Sequence, residues 1–220
     1  MLQNKLLVNE IFDSFQGEGF MQGTVCTFVR LQGCSVGCSY CDTKNTWTTS
    51  SKFMQAKNII LMKNSNQDSF YSGFTIEEIA DSCKENYVVV TGGEPFEQDI
   101  SELLKYLTDN GKSVQVETSG NSKIGEKVKG VWYTVSPKIT KKTDIKILQE
   151  SITKADELKI VPTPEIVVNL GDLLKYKAGS CILSFQPESC KEDSKELCIE
   201  LAKKYKGRIS IQSHKYTKDR

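Results

Sequence analysis

Residues 75–118 read "TIEEIADSCKENYVVVTGGEPFEQDISELLKYLTDNGKSVQVET", and their order decides the fold class. Thr75 and Glu78 stand in a capping-box arrangement at the head of an amphipathic stretch, so a helix begins there. "YVVVT" is a short β-branched run with no polar alternation, as expected of a strand buried on both faces. A second helix runs from an Asp99 cap to Gly111 as its stop, and "SVQVET" is the next strand. Helix, strand, helix, strand is the signature of βα units and a mainly parallel sheet.

Working outward, further strands are expected at "TFVRL", "WYTVS", "ELKIV", "CILSFQ" and "RISIQS", and a third helix at "KEDSKELCIELAKKYKG", whose basic residues gather near its end. The fold expected is α/β with a mainly parallel sheet in one domain over 1–220. Residues 48–72, "TTSSKFMQAKNIILMKNSNQDSFYS", break the pattern: they are rich in Ser, Asn, Gln and Lys and follow a run of cysteines. They read as an inserted excursion with one short helix, a lid or an interface.

Composition narrows the function. Lys and Arg number 29 against 28 Asp and Glu in 220 residues, so no basic face for nucleic acid is implied. No uninterrupted apolar stretch suits a membrane span, and no export signal is apparent, so a cytoplasmic location is expected. In such a chain the eight cysteines read as ligands, catalytic thiols or core residues rather than disulfides. Cys83, Cys181, Cys190 and Cys198 lie scattered in regular elements and read as small hydrophobes, and Cys26 sits in the alternating "VCTFVRL" as strand packing.

Cys34, Cys38 and Cys41 are different. "CSVGCSYC" spaces them C-x3-C-x2-C in a loop after the first strand, and soft thiolates suit zinc or iron-sulfur. A closed site takes four protein ligands, so three leave either an open position for substrate or a zinc staple completed by Cys26 or another distant residue. The one histidine, His214, is far away in the sequence.

Ligands of such sheets bind at the carboxyl ends of the strands. There the chain carries Gly92-Gly93-Glu94-Pro95, Thr118-Ser119-Gly120, Ser136-Pro137-Lys138 and Gln186-Pro187-Glu188. The glycine pair lets backbone approach a ligand closely.

"CSVGCSYC" followed by "GGEP", with Tyr40 between the last two cysteines, resembles the radical S-adenosylmethionine (SAM) superfamily. "EIFDSFQGEG", "FVRLQGC", "CDTKNTW", "VETSG", "VSPK", "SFQPES" and "QSHKY" in order resemble its 7-carboxy-7-deazaguanine synthase family over nearly the whole chain. Phe15, where leucine is more usual, and "FEQD" after "GGEP" are minor departures. The resemblance implies a partial, open βα barrel and a [4Fe-4S] cluster on Cys34, Cys38 and Cys41, with SAM on the fourth iron. It implies rearrangement of 6-carboxy-5,6,7,8-tetrahydropterin to 7-carboxy-7-deazaguanine with loss of ammonia, on the way to queuosine.

For SAM it implies Tyr40, Gly92, Gly93, Glu94, Glu117, Ser119, Ser136, Pro137, Lys138, Gln186, Pro187 and Glu188. For the pterin it implies Phe15, Gln16, Gly17, Glu18, Arg30, Thr91 and His214, with Arg30 on the carboxylate, and for Mg2+ it implies Thr43. A flavodoxin- or ferredoxin-type electron donor and a homodimer are expected by the same analogy. The alternative of the same superfamily is an activating enzyme that installs a glycyl radical on a protein. A non-catalytic zinc or electron-transfer module is the alternative from another class.

Overall fold

The computed structural model describes residues 5–63, 68–188 and 191–217; Cys190 and residues 64–67 of the excursion lie outside them. The chain divides into two compact units, each built from separated segments. One takes Met1–Ser14, Val25–Glu117 and Gly125–Val131, the other Phe15–Thr24, Thr118–Ile124 and Trp132–Arg220.

In the first unit lie β1 (Leu6–Phe15, to Ser14), β2 (Val25–Leu31), α1 (Lys57–Leu61), β3 (Ser72–Phe74), α2 (Ile76–Ser82), β4 (Tyr87–Gly92), α3 (Ser101–Asp109) and β5 (Ser113–Thr118, to Glu117). Its strands are ordered β3-β1-β2-β4-β5. β3 runs antiparallel to β1, while β2, β4 and β5 are parallel, with Arg30 opposite Thr91. Val88, Val89 and Val90 are all fully buried, as a parallel strand between two others requires.

The second unit holds β6 (Val131–Val135, from Trp132), α4 (Ile145–Thr153), β7 (Glu157–Ile160), α5 (Pro164–Leu174), β8 (Ile182–Phe185), α6 (Glu192–Tyr205), β9 (Arg208–Ile209) and α7 (His214–Thr217). Its strands run β6-β7-β8-β9, all parallel. β3 and β9 each pair on one side only, so the arrangement is open and mainly parallel, as expected. Among the described residues no helix is long and apolar enough to cross a membrane.

Strands form at all seven expected places, that at "RISIQS" only over Arg208–Ile209, and the capping box of Thr75 and Glu78 is made in both directions. Three corrections concern detail. A strand, β1, precedes "TFVRL", so the cysteine loop follows the second strand rather than the first. α3 begins one residue later than an Asp99 cap would give: Ile100 is the cap, and the Asp99 carboxylate accepts from the Ser101 N–H at 3.1 Å. The excursion carries its short helix, α1, but ends in β3, whose three residues pair with β1.

Candidate active site

The cysteine loop leaves β2 through Gly33, whose φ of +105° is open to glycine and strained for other residues. Its two ends are buckled by Gln32, which donates through Nε2 to the carbonyls of Asn45 at 3.1 Å and Thr48 at 2.6 Å. Asn9 on β1 in turn donates to Gln32 Oε1 at 2.7 Å. Within the loop Cys34, Cys38 and Cys41 are half-buried and in no disulfide. The Cys41 N–H donates to the Cys38 carbonyl at 3.3 Å, and Cys41 Sγ lies 3.6 Å from Thr43 Oγ1.

Burial pushes the Cys34 thiol up to about 11; the Val36 and Gly37 N–H groups offset this in part, and the carboxylates of Glu94 and Glu97 add to it. Ligation of a metal by Cys34 therefore displaces its proton. Among the described residues no three His, Cys, Asp or Glu side chains converge as a metal site. The fit to an iron-sulfur cluster thus rests on donor chemistry: three soft thiols on one eight-residue stretch, with none of them committed to a disulfide.

The "GGEP" turn packs on this loop. A Cβ at Gly93 would stand 2.1 Å from the Gly33 carbonyl oxygen and 3.1 Å from Cys34 Cβ, and one at Gly92 would stand 2.3 Å from the Leu31 carbonyl. The Gly93 and Glu94 N–H groups donate to the carbonyls of Leu31 and Gly33 at 3.0 and 2.9 Å. What the two glycines approach so closely is thus the protein's own backbone at the root of the cysteine loop. Glu94 is buried and accepts from Phe96 N–H at 3.3 Å, while Glu97 accepts both from N–H and from Oγ of Ser35, at 2.7 and 2.6 Å. Gln98 ties Leu7 to Gln32. Sequence reading had passed over "FEQD" as a minor departure, yet Glu97 and Gln98 are what fasten the loop.

Arg30 and Thr91 are opposite neighbours on β2 and β4. Arg30 is largely buried, its Nε 2.6 Å from Oε1 of the fully buried Glu10, with its guanidinium 5.7 Å over the Phe12 ring. Tyr40 and Glu117 are half-buried in the same unit, and Glu117 accepts from Gln115 Nε2 at 3.3 Å.

The second unit gathers the remaining candidates into two groups. Ser119, Ser136 and Lys138 are linked through Asn121. Its Nδ2 donates to the Lys138 carbonyl at 2.9 Å and to Ser119 Oγ at 3.4 Å, and Lys138 Nζ donates to Ser136 Oγ at 2.7 Å. The Asn121 Oδ1 is buried with no hydrogen-bond partner among the described residues, an acceptor suited to a hydroxyl or ammonium of a bound ligand. Pro137 is buried beside them in sequence.

The other group is the "QGEG" turn on the C-terminal segment. The Ser213 N–H and Oγ donate to the Gly17 carbonyl at 2.9 and 3.1 Å, and the His214 ring covers Gly17. Glu18 meets Lys159 at 2.5 Å and Gln212 at 2.6 Å, and Gly19 N–H donates to Ser210 Oγ at 2.8 Å. Burial alone would raise the Glu18 carboxyl, but the Lys159 ammonium and bonds from Lys159, Gln212 and Gln186 hold it well below the usual carboxylate range. Gln186 is buried and accepts from Ser210 Oγ at 2.8 Å, which ties it to the Glu18 group. Glu188 pairs with Lys191, and Phe15 is half exposed, at 52%.

A family model described as "4Fe-4S single cluster domain" matches residues 15–148. The 7-carboxy-7-deazaguanine synthase of Escherichia coli (strain K12) is 35% identical over 216 residues, covering 95% of this chain and 96% of its own. The chain belongs to the 7-carboxy-7-deazaguanine synthase family. The 7-carboxy-7-deazaguanine synthase of Buchnera aphidicola subsp. Schizaphis graminum is 36% identical over 222 residues, covering 97% of this chain and 98% of its own. A solved structure, "Crystal structure of QueE from Escherichia coli", superposes with a TM-score of 0.86 at 33% identity, covering 96% of this chain and 95% of that one. The chain is thus an enzyme of this radical SAM family, and the glycyl-radical activase is not favoured. Gln32, Glu10, Lys159 and Gln212 carry no motif in the sequence, because each acts on a residue elsewhere in the chain; a buried charge inside "ELKIV" is the one available sign.

Proposed function

We propose that the chain converts 6-carboxy-5,6,7,8-tetrahydropterin to 7-carboxy-7-deazaguanine with loss of ammonia, in queuosine precursor and hence tRNA-modification biosynthesis. The observation that carries it is the cysteine loop: three thiols outside any disulfide, rooted on the "GGEP" glycines, in a chain that belongs to the synthase family. When bound, a [4Fe-4S] cluster with SAM would supply radical hydrogen-transfer chemistry toward the pterin.

The chain's own residues bind and orient. Cys34, Cys38 and Cys41 hold the cluster. Gly92, Gly93, Glu94, Tyr40, Glu117, Ser119, Ser136, Pro137, Lys138, Gln186, Pro187 and Glu188 are the SAM candidates; the unpartnered Asn121 Oδ1 beside Ser119 supports this. Arg30 offers the planar donor pair suited to the substrate carboxylate, since Glu10 engages its Nε. Thr91 is its neighbour. Phe15, Gln16, Gly17, Glu18 and His214 are the pterin contacts, and Glu18, charged at neutral pH, suits the donor-rich edge. Thr43 supplies one hard oxygen to Mg2+, with substrate and water completing the shell.

The domain works as one catalytic unit in the cytoplasm, as a homodimer reduced by a flavodoxin- or ferredoxin-type protein. The test is anaerobic reconstitution with iron and sulfide, then SAM, reductant, Mg2+ and the carboxylated tetrahydropterin, with product read by mass. 7-Carboxy-7-deazaguanine is expected; its absence with an intact cluster overturns the reading, and bound zinc without iron after anaerobic purification favours the zinc module.

A further inference from the structure

Strand β7 is buried end to end, yet two of its four residues are charged. Glu157 and Lys159 alternate with Leu158 and Ile160, so both ionisable side chains leave the same face. The "QGEG" turn lies on that face. A Cβ at Gly19 would stand 2.8 Å from Glu157 Oε2, and Lys159, only 3% exposed, reaches Oε2 of Glu18. Gln212 donates to the other oxygen, Oε1. A carboxylate gripped at both oxygens from different segments is fixed in rotation as well as in place. Each oxygen still has lone-pair capacity for a further donor.

We propose that Lys159 and Gln212 are positioning residues for the substrate: they hold Glu18 as an oriented anion that accepts the N–H donors of the pterin's aminopyrimidinone edge. This rests on the pterin reading of Glu18 given under Proposed function. A buried ion pair is a poor way to stabilise a fold, since apolar residues of similar volume do as well or better. The use of the anion accounts for its presence here. Lys159 acts through Glu18 and carries no chemistry of its own.

The test compares wild type with Lys159→Met, Lys159→Arg and Gln212→Met, each reconstituted and checked for iron content and melting temperature. Binding of 6-carboxy-5,6,7,8-tetrahydropterin is measured anaerobically without reductant, and kcat and KM with it. The expectation for Lys159→Met is at least about a tenfold weakening of Kd and KM, the loss typical of a hydrogen bond to a charged group, with kcat within about threefold. Lys159→Arg recovers most of it, and Gln212→Met shows a smaller loss in the same direction. A folded, cluster-bearing Lys159→Met or Gln212→Met with wild-type Kd and KM overturns the inference while leaving the pterin reading standing. Should Lys159→Met fail to fold, Gln212→Met decides. Failure of wild type itself to bind the tetrahydropterin overturns both.

Discussion

The imidazole of His214 stands where a side chain on residue 17 would have to be: a Cβ built on Gly17 would come within 2.3 Å of Nδ1. A residue near the C-terminus and one near the N-terminus are thus fitted to each other, and Ser213 fastens the same contact through the Gly17 carbonyl. Gly17→Ala is expected to push His214 and its segment away, at about 1–3 kcal/mol for overpacking, and to raise KM. Steady-state kinetics of Gly17→Ala, His214→Ala and the double variant check it. The double variant should lose less than the sum of the two singles, because removing the ring removes the clash.

Gly93 makes the corresponding fit with the cysteine loop. A methyl group there meets the Gly33 carbonyl oxygen and Cys34 Cβ, both of which belong to the loop's root. Gly93→Ala is expected to leave a folded chain that takes up less than half the wild-type iron on reconstitution. Iron and sulfide analysis beside circular dichroism would show it, and full iron loading would contradict the packing argument.

Cysteine substitutions separate ligands from core. Cys38→Ala should abolish the visible absorbance of the reconstituted cluster. Cys26, fully buried on β2, should cost about 1 kcal/mol as alanine and leave the absorbance intact. Equal loss in both would make Cys26 a ligand.

Acid stability reports on Glu18. Its carboxyl lies well below the ordinary value of 4.5 in the folded chain, burial being outweighed by Lys159 and the hydrogen bonds to it. As pH falls the unfolded chain is the first to take up this proton. The group's stabilisation is therefore complete above the unfolded pKa and is lost as pH drops toward the folded one. Lys159→Met leaves burial in command and raises the carboxyl, so Glu18 then destabilises at neutral pH and is relieved by acid. Melting temperatures should place Lys159→Met well below wild type at pH 7, with the gap narrowing at pH 4. A gap that widens on acidification would contradict the ion pair.

Much of this was legible in the sequence because it is local. "YVVVT" declares a strand buried on both faces, Thr75 and Glu78 declare a cap, and three cysteines within eight residues declare a metal loop. β1 was missed because Asn9, Glu10 and Ser14 are polar and yet buried, which erases the alternation by which a strand is recognised. β3 is too short to announce itself. The supports of the site were illegible for a different reason. Glu10 answers Arg30, Gln212 and Lys159 answer Glu18, and Glu97 answers Ser35, each across 20 to 194 positions of sequence. Spacing motifs carry no such pairs. The glycines of "GGEP" read in the sequence as a close backbone approach to a ligand, whereas what they approach in the fold is the backbone at the root of the cysteine loop.

The central claim is that the three-cysteine loop holds a cluster whose open position serves SAM in catalysis on the carboxylated tetrahydropterin. Counting 7-carboxy-7-deazaguanine formed against 5'-deoxyadenosine accumulated, in a single anaerobic reaction with limiting SAM, tests it most directly. Product in clear excess over 5'-deoxyadenosine is expected, as befits a returned radical. No product from a fully loaded cluster, or one 5'-deoxyadenosine for every product molecule, would contradict it.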